Sequence, residues 1–263
     1  MRPNAPFQIR KRWLLAGTAG ILTLALGLWV ADEIDSSRLQ ASQISAYAAT
    51  LTYETVEGAS TAIRFPTHGP FDERMGYRRL PELSQRLTAA GYTLSRQARL
   101  STPLLNYVDQ GYFPPYREKA AAGLNVEDCR DDALYRFRYP YRGYASFDAI
   151  PKRIAETLTF IENRHLLDPD RPKMNPAVDW VRFARAVIGR IGKMVDEDFD
   201  APGGSTLATQ IEKYRHSPNG VTPDSDEKLR QMISASVRAY RDGEETMPAR
   251  QRILLDYLNT VPL

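Results

Sequence analysis

The sequence predicts a mainly α protein in which one membrane-spanning helix and a small α+β module precede an all-helical C-terminal half. Three observations carry this expectation: a charge-free apolar run at residues 13–31, an apolar/polar alternation around residues 134–141, and helical spacing of apolar residues from Pro151 to the end. With 263 residues, 43% hydrophobic and 25% charged, the chain has the composition of one or two globular domains with a sizeable core. The net charge of +3 is spread along the chain and not gathered into basic runs, so nucleic acid is not an expected partner. Cys129 is the single cysteine, which excludes an internal disulfide and a Cys-based metal site; the three histidines do not fall at metal-ligand spacing.

The run WLLAGTAGILTLALGLWVA, residues 13–31, would span about 28 Å as a helix, close to the roughly 30 Å hydrocarbon core of a bilayer. Arg10, Lys11 and Arg12 precede it, and Asp32, Glu33 and Asp35 follow. That asymmetry predicts a single-pass anchor with residues 1–12 as a cytoplasmic tail and the remainder outside. A cleaved signal peptide fits less well, because the run is long and Trp29 stands where cleavage favours a small residue.

Residues 32–65 read as a connector and residues 66–146 as a small α+β accessory module. Within the module, Leu80, Leu83, Leu87 and Ala90 share a helix face, Pro81 suits the first turn and Gly91 the C-terminal cap. Tyr92 and Leu94, then Tyr135, Phe137, Tyr139 and Tyr141, alternate with other residues as in half-buried strands. Residues 147–263 read as helices. Ile154, Leu158 and Ile161 line the first, with His165 partly buried on the same face; Asn175 and Pro176 are read as the cap and first residue of the next. Leu229, Met232, Ile233, Val237 and Tyr240 line a third, and the last, from about Pro248, buries Ile253, Leu254, Tyr257 and Leu258.

Candidate chemistry gathers at APGGSTLATQIEKY, residues 201–214. Two glycines permit a sharp turn or a close approach to a ligand, and Ser205 or Thr206 can cap the helix that follows. On that helix Leu207, Ile211 and Tyr214 form an apolar stripe, while Thr206, Gln210 and Lys213 repeat its spacing one residue earlier and would line a cleft. Glu162, one position off the apolar stripe of its own helix, could face the same cleft; an ordinary capped surface helix and a solvated glutamate are the plainer alternatives.

In order, IENRHLL, NPAVDWVRFARAV, GGSTLATQIEK, EKLRQMISASVRAY and RILLDYLNTVPL resemble the motifs of glycosyltransferase family 51, the peptidoglycan glycosyltransferase domain of class A penicillin-binding proteins and monofunctional transglycosylases. Gly204, Ser205, Thr206, Gln210 and Lys213 match its second motif in order, and Ile253, Leu254, Tyr257, Leu258 and Asn259 its last. The resemblance implies a lysozyme-like helical fold that polymerises lipid II into a growing glycan strand at the outer face of the bacterial cytoplasmic membrane. It implies Glu162 as the general base, with Asn163, Gly204, Ser205, Thr206, Gln210, Lys213, Arg230 and Ser234 at the substrate and Lys213 and Arg230 beside its pyrophosphate. No protein-ligated metal site is implied; a divalent cation such as Mg at the pyrophosphate is the one cofactor it leaves room for.

The chain departs from the family pattern at several positions. Asn163 replaces Asp, Leu166 replaces Phe, Ala208 and Thr209 replace Thr-Gln, Gln231 stands at a lysine, and Ser234 stands at a second glutamate. It stops just after the last motif, which predicts a longer protein. Two other functions stay open: a degenerate member that binds lipid II, glycan or other cell-wall synthesis proteins without polymerising, and a lysozyme-type lytic enzyme. The Gly-Gly-Ser-Thr helix and its basic residues argue against the second, since hydrolysis of a glycosidic bond needs no pyrophosphate grip.

Overall fold

A computed structural model describes residues 5–65, 69–118, 122–138, 143–182 and 205–260, with the backbone alone for residues 5–16. The architecture is mainly helical, with two small antiparallel sheets. Helix α1 (Ala5–Ser36) contains the segment Gly17–Ser36, long and apolar enough to cross a membrane and with no residue of its apolar window buried. It continues through Asp32, Glu33 and Asp35, beyond the end of the apolar run. At Ser37 the backbone turns left-handed (φ 52°), and helix α2 (Arg38–Ala48) departs in a new direction. Its first amides are capped from below: Glu33 accepts hydrogen bonds from the N–H groups of Leu39 (2.8 Å) and Gln40 (2.9 Å).

The stretch read as a connector contributes to a sheet. Strand β1 (Tyr53–Glu57) pairs antiparallel with β2 (Arg96–Leu100), so residues on both sides of position 66 share one ladder. Between them lie a short helix α3 (Pro70–Arg74) and α4 (Leu80–Ala89). Gly91, with φ 87°, ends α4 as the sequence predicts, but no residue of α4 is buried. Helix α5 (Thr102–Asp109) starts at Ser101, whose hydroxyl accepts from the Leu104 N–H. Strands β3 (Gly123–Glu127) and β4 (Ala133–Arg138) form a hairpin exposed throughout, which corrects the half-buried reading of Tyr135 and Phe137. Tyr139 and Tyr141 lie outside the described residues.

The C-terminal half comprises α6 (Lys152–Glu162), α7 (Leu207–His216), α8 (Ser225–Ala239) and α9 (Met247–Thr260). Ala155, Leu166, Leu207, Ile211, Leu254 and Tyr257 belong to its core, so Leu207 and Ile211 of α7 and Leu254 and Tyr257 of α9 are buried as expected, while Ile253 and Leu258 are partly buried against them. On α6 the buried face is Ala155 and Thr159. Ile154 and Ile161 are exposed, as is His165. Thr159 tolerates burial because its hydroxyl donates to the Ala155 carbonyl (2.8 Å). Leu229 on α8 is exposed as well.

Asn175 does not cap a helix either. Its carboxamide accepts from the Ala177 N–H (3.0 Å) and donates to Gln40 (3.2 Å) and Ser236 (3.1 Å), while helix begins at Trp180 under Asp179, which accepts from the Arg182 N–H (2.9 Å). A small contact of Ala177, Ala208 and Ala235 lets α7 approach α8 closely, which accounts for alanine at 208. A second core, built from Ala48, Leu51, Leu100, Leu104 and Tyr107, closes on Val237 of α8, joining the N-terminal segments to the C-terminal helices. Gly69 (φ 105°) completes that junction: a Cβ there would lie 2.3 Å from the carbonyl oxygen of Arg215, so only glycine fits.

Candidate active site

Glu162 is the last residue of α6, and its carbonyl oxygen accepts from Arg182 Nη1 (2.7 Å). Its carboxylate Oε2 accepts from Gln210 Nε2 on α7 (3.3 Å), and Gln210 Oε1 in turn accepts from the Tyr257 hydroxyl on α9 (3.4 Å). Three helices thus meet through the Gln210 amide. Burial first, and the negative charge of Glu162 second, push the Tyr257 phenol above its ordinary range. The Ile-Leu-x-x-Tyr run of α9 therefore does two jobs: Leu254 fills the core, while Tyr257 orients the amide that holds the carboxylate.

One turn beyond Gln210, Lys213 lies on the neighbouring part of α7, its Nζ 4.3 Å from the centre of the Tyr214 ring. Just before α7, the Ser205 hydroxyl accepts from Lys228 Nζ on α8 (2.7 Å). Lys228 and Lys213 are close enough to repel each other: burial, and next the charge of Lys213, lower the Lys228 pKa. Glu162 and Gln210 thus form one group and Ser205, Lys228 and Lys213 another, with α7 carrying residues of both.

Other candidates have different surroundings. Thr206 is buried and forms a capping box with Thr209: the Thr206 N–H donates to Thr209 Oγ1 (2.9 Å), and the Thr209 N–H to Thr206 Oγ1 (3.3 Å). It starts the helix and does not line a cleft, and the same box explains threonine at 209. Ser234 is wholly buried, and its hydroxyl accepts from the Phe113 N–H (3.0 Å), so it faces the N-terminal segments. Arg230 forms an ion pair with Glu227 and lies against Gly111, where a Cβ would sit 3.2 Å from its Nε; among the described residues its side-chain hydrogen bond goes to Glu227 and not to Ser205. Asn163 is buried at the end of α6 and lines a cavity of about 360 Å³ with Ala31 and Ile34 of α1 and Met174 and Val178 of the following loop. Gly204 lies outside the described residues.

On the side of α7 away from Gln210 lies a buried ionic network that the sequence did not suggest. His216 Nε2 is 2.5 Å from Glu118 and its Nδ1 is 3.5 Å from Asp72. Arg215 Nη1 reaches Glu118 (2.7 Å), and Arg238 Nε reaches Glu212 (2.7 Å). Against the cost of burial, His216, Arg238 and Arg215 hold the Glu118 carboxyl well below its usual range. Burial alone would lower the His216 pKa, but Glu118, Asp72 and Glu212 push it up to about 9. Neither Glu118 nor Asp72 stands near the motifs in sequence, which is why they escaped notice.

Helix α7 thus links a carboxylate held by an amide to a second group of hydroxyl and ammonium donors, a combination that suits an anionic ligand that also bears hydroxyls. Residues 130–263, just over half of the chain, match the model of the transglycosylase family, and the chain belongs to that family, the glycosyltransferase 51 domain. Among curated proteins and among solved structures, nothing matches.

Proposed function

We propose that this chain is a membrane-anchored peptidoglycan glycosyltransferase that polymerises lipid II, with Glu162 as general base. The observation that carries the reading is the Glu162 carboxylate held by Gln210, on the same helix that presents Lys213. The acceptor sugar hydroxyl attacks the anomeric carbon of the donor while Glu162 takes its proton, and the bond to the pyrophosphate breaks with its electron pair leaving on that group. A positioned base contributes about 10² to 10⁴ in rate. The Lys213 ammonium stabilises the charge that develops on the departing pyrophosphate.

The donors beside that path are ammonium, amide and hydroxyl groups, which suit a phosphate. Ser234, the residue at the family's second glutamate, is turned into the protein by Phe113, so no step is assigned to a metal. The division into connector 32–65, accessory module 66–146 and glycosyltransferase domain 147–263 is part of the same proposal, with β1 joining the sheet of the module.

The anchor is α1, oriented with its N-terminus in the cytoplasm by Arg10, Lys11 and Arg12. A reporter fused after Leu263 is expected to be active only outside the cytoplasmic membrane; activity confined to the cytoplasm would refute the orientation.

The buried serine favours one second reading, a family member that grips lipid II without polymerising it. Incubating the full chain with lipid II in detergent and resolving the products by length decides between them. Glycan polymer supports the enzyme, whereas bound lipid II with no polymer under any metal condition supports the binder.

A further inference from the structure

A carboxylate is out of place at the C-terminal end of a helix, where the last carbonyls already carry partial negative charge. Glu162 stands in that position. It is the last residue of α6, the last turn holds no basic residue, and the chain leaves the helix through Asn163 (φ −158°, ψ 86°) with no glycine to close the turn. Among the described residues its carboxylate pairs with no cation, and the group that holds it is the neutral amide of Gln210.

The compensating charge comes from farther along the chain. Arg182 Nη1 donates to the Glu162 carbonyl oxygen at 2.7 Å, which satisfies one of the open carbonyls and puts a guanidinium at the negative end of α6. Arg182 is itself held in place: Asp179 Oδ1 accepts from its backbone N–H (2.9 Å), and Asp179 Oδ2 lies 3.4 Å from its Nε. Its Nη1 and Nε are thus engaged within the chain, unlike those of a cation reserved for a ligand. Glu162 is gripped twice, by Gln210 at the carboxylate and by Arg182 at the main chain.

We infer that Arg182 is a positioning residue for polymerisation: by fixing the end of α6 it sets the point from which the Glu162 carboxylate takes the proton of the attacking hydroxyl, and Asp179 keeps the guanidinium aimed at that end. This rests on the reading of Glu162 as general base and adds a residue to it. A shift of about 1 Å at a reacting group costs on the order of 10² in rate, so Arg182 matters without touching the substrate.

The test uses the full chain in detergent, with polymer formation at saturating lipid II and equilibrium lipid II binding as the two readouts. Arg182→Met keeps the apolar stem and loses the guanidinium. It is expected to slow polymerisation about 10- to 100-fold while binding stays within about threefold of the parent. Arg182→Lys, which keeps a cation and a donor, is expected to restore most of the rate, to within about fivefold of the parent. Placed in a Glu162→Gln chain, Arg182→Met is expected to cost less than about twofold more, because the group it positions has gone.

Parent-like polymerisation by Arg182→Met overturns the inference and leaves the lipid II reading intact. A full further loss in the Glu162→Gln chain also overturns it, since Arg182 would then act on the substrate independently of the base. So does a parallel loss of lipid II binding, which would make Arg182 a support of the whole fold. A parent chain that makes no polymer refutes the general-base reading itself, and the inference falls with it.

Discussion

Replacing Glu162 by Gln is expected to lower lipid II polymerisation by about 10² or more, a loss of about 2.7 kcal/mol of transition-state stabilisation, while lipid II binding changes by less than about threefold. The separation follows from the hydrogen bonds. Glutamine is isosteric, and its carbonyl oxygen still accepts from Gln210 Nε2, so α6, α7 and α9 keep their places. What disappears is the ability to take a proton from the attacking hydroxyl. Polymer formation and equilibrium binding, measured side by side on parent and variant, check the result. Unchanged polymerisation would place the base elsewhere; a parallel collapse of binding would make Glu162 a ligand contact and not a base.

Glu118→Ala is expected to destabilise the fold by about 3–5 kcal/mol, because it leaves Arg238, Arg215 and protonated His216 buried without their shared partner. In a chain of this size the melting temperature should fall on the order of 10 °C. The same cluster sets a pH dependence. His216 titrates near 9 in the folded chain against an ordinary 6.5, so its contribution is fully present below about 6.5 and is lost as pH rises through 9. Glu118 is held below its ordinary 4.5, so its contribution is present above about 4.5 and is lost as pH falls through its folded value. The facing groups are Asp72 of α3, Glu212 and Arg215 of α7 and Arg238 of α8. Thermal melts from pH 5 to 9.5 should therefore decline above about 6.5 in the parent and much less in His216→Gln. A flat parent profile would mean that His216 is neutral in the fold.

Much of this was legible in the sequence because it is local. Helical spacing found α7 and α9 and their buried residues, and Pro and Gly marked the ends of α4. Where the reading failed, the deciding partner was distant. Apolar spacing shows that α6 has an Ile154–Leu158–Ile161 face but not whether anything covers it; Ala155 and Thr159 meet the core instead.

Asn175 has the chemistry of a cap, yet its carboxamide is engaged by Gln40 and Ser236, far away along the chain. Thr206 and Ser205 look alike as cap and ligand candidates, and only the pairing with Thr209 separates them. Ser234 could be placed only by knowing that Phe113 packs on α8. Neither Lys228 nor Glu118 had a signal of its own.

The junction at Ser37 bears on where chemistry can happen. Asp35, in the last turn of α1, pairs with Arg171 at 2.6 Å, Glu33 caps α2, and the Ser37 hydroxyl accepts from the Asn175 N–H at 3.4 Å. An anchor fastened at its root in this way is a strut and not a leash. For a chain inserted as proposed, the distance of Glu162 from the lipid surface is then set by where the apolar span of α1 comes to rest, and the thickness of the bilayer enters the geometry of the site as directly as any side chain does.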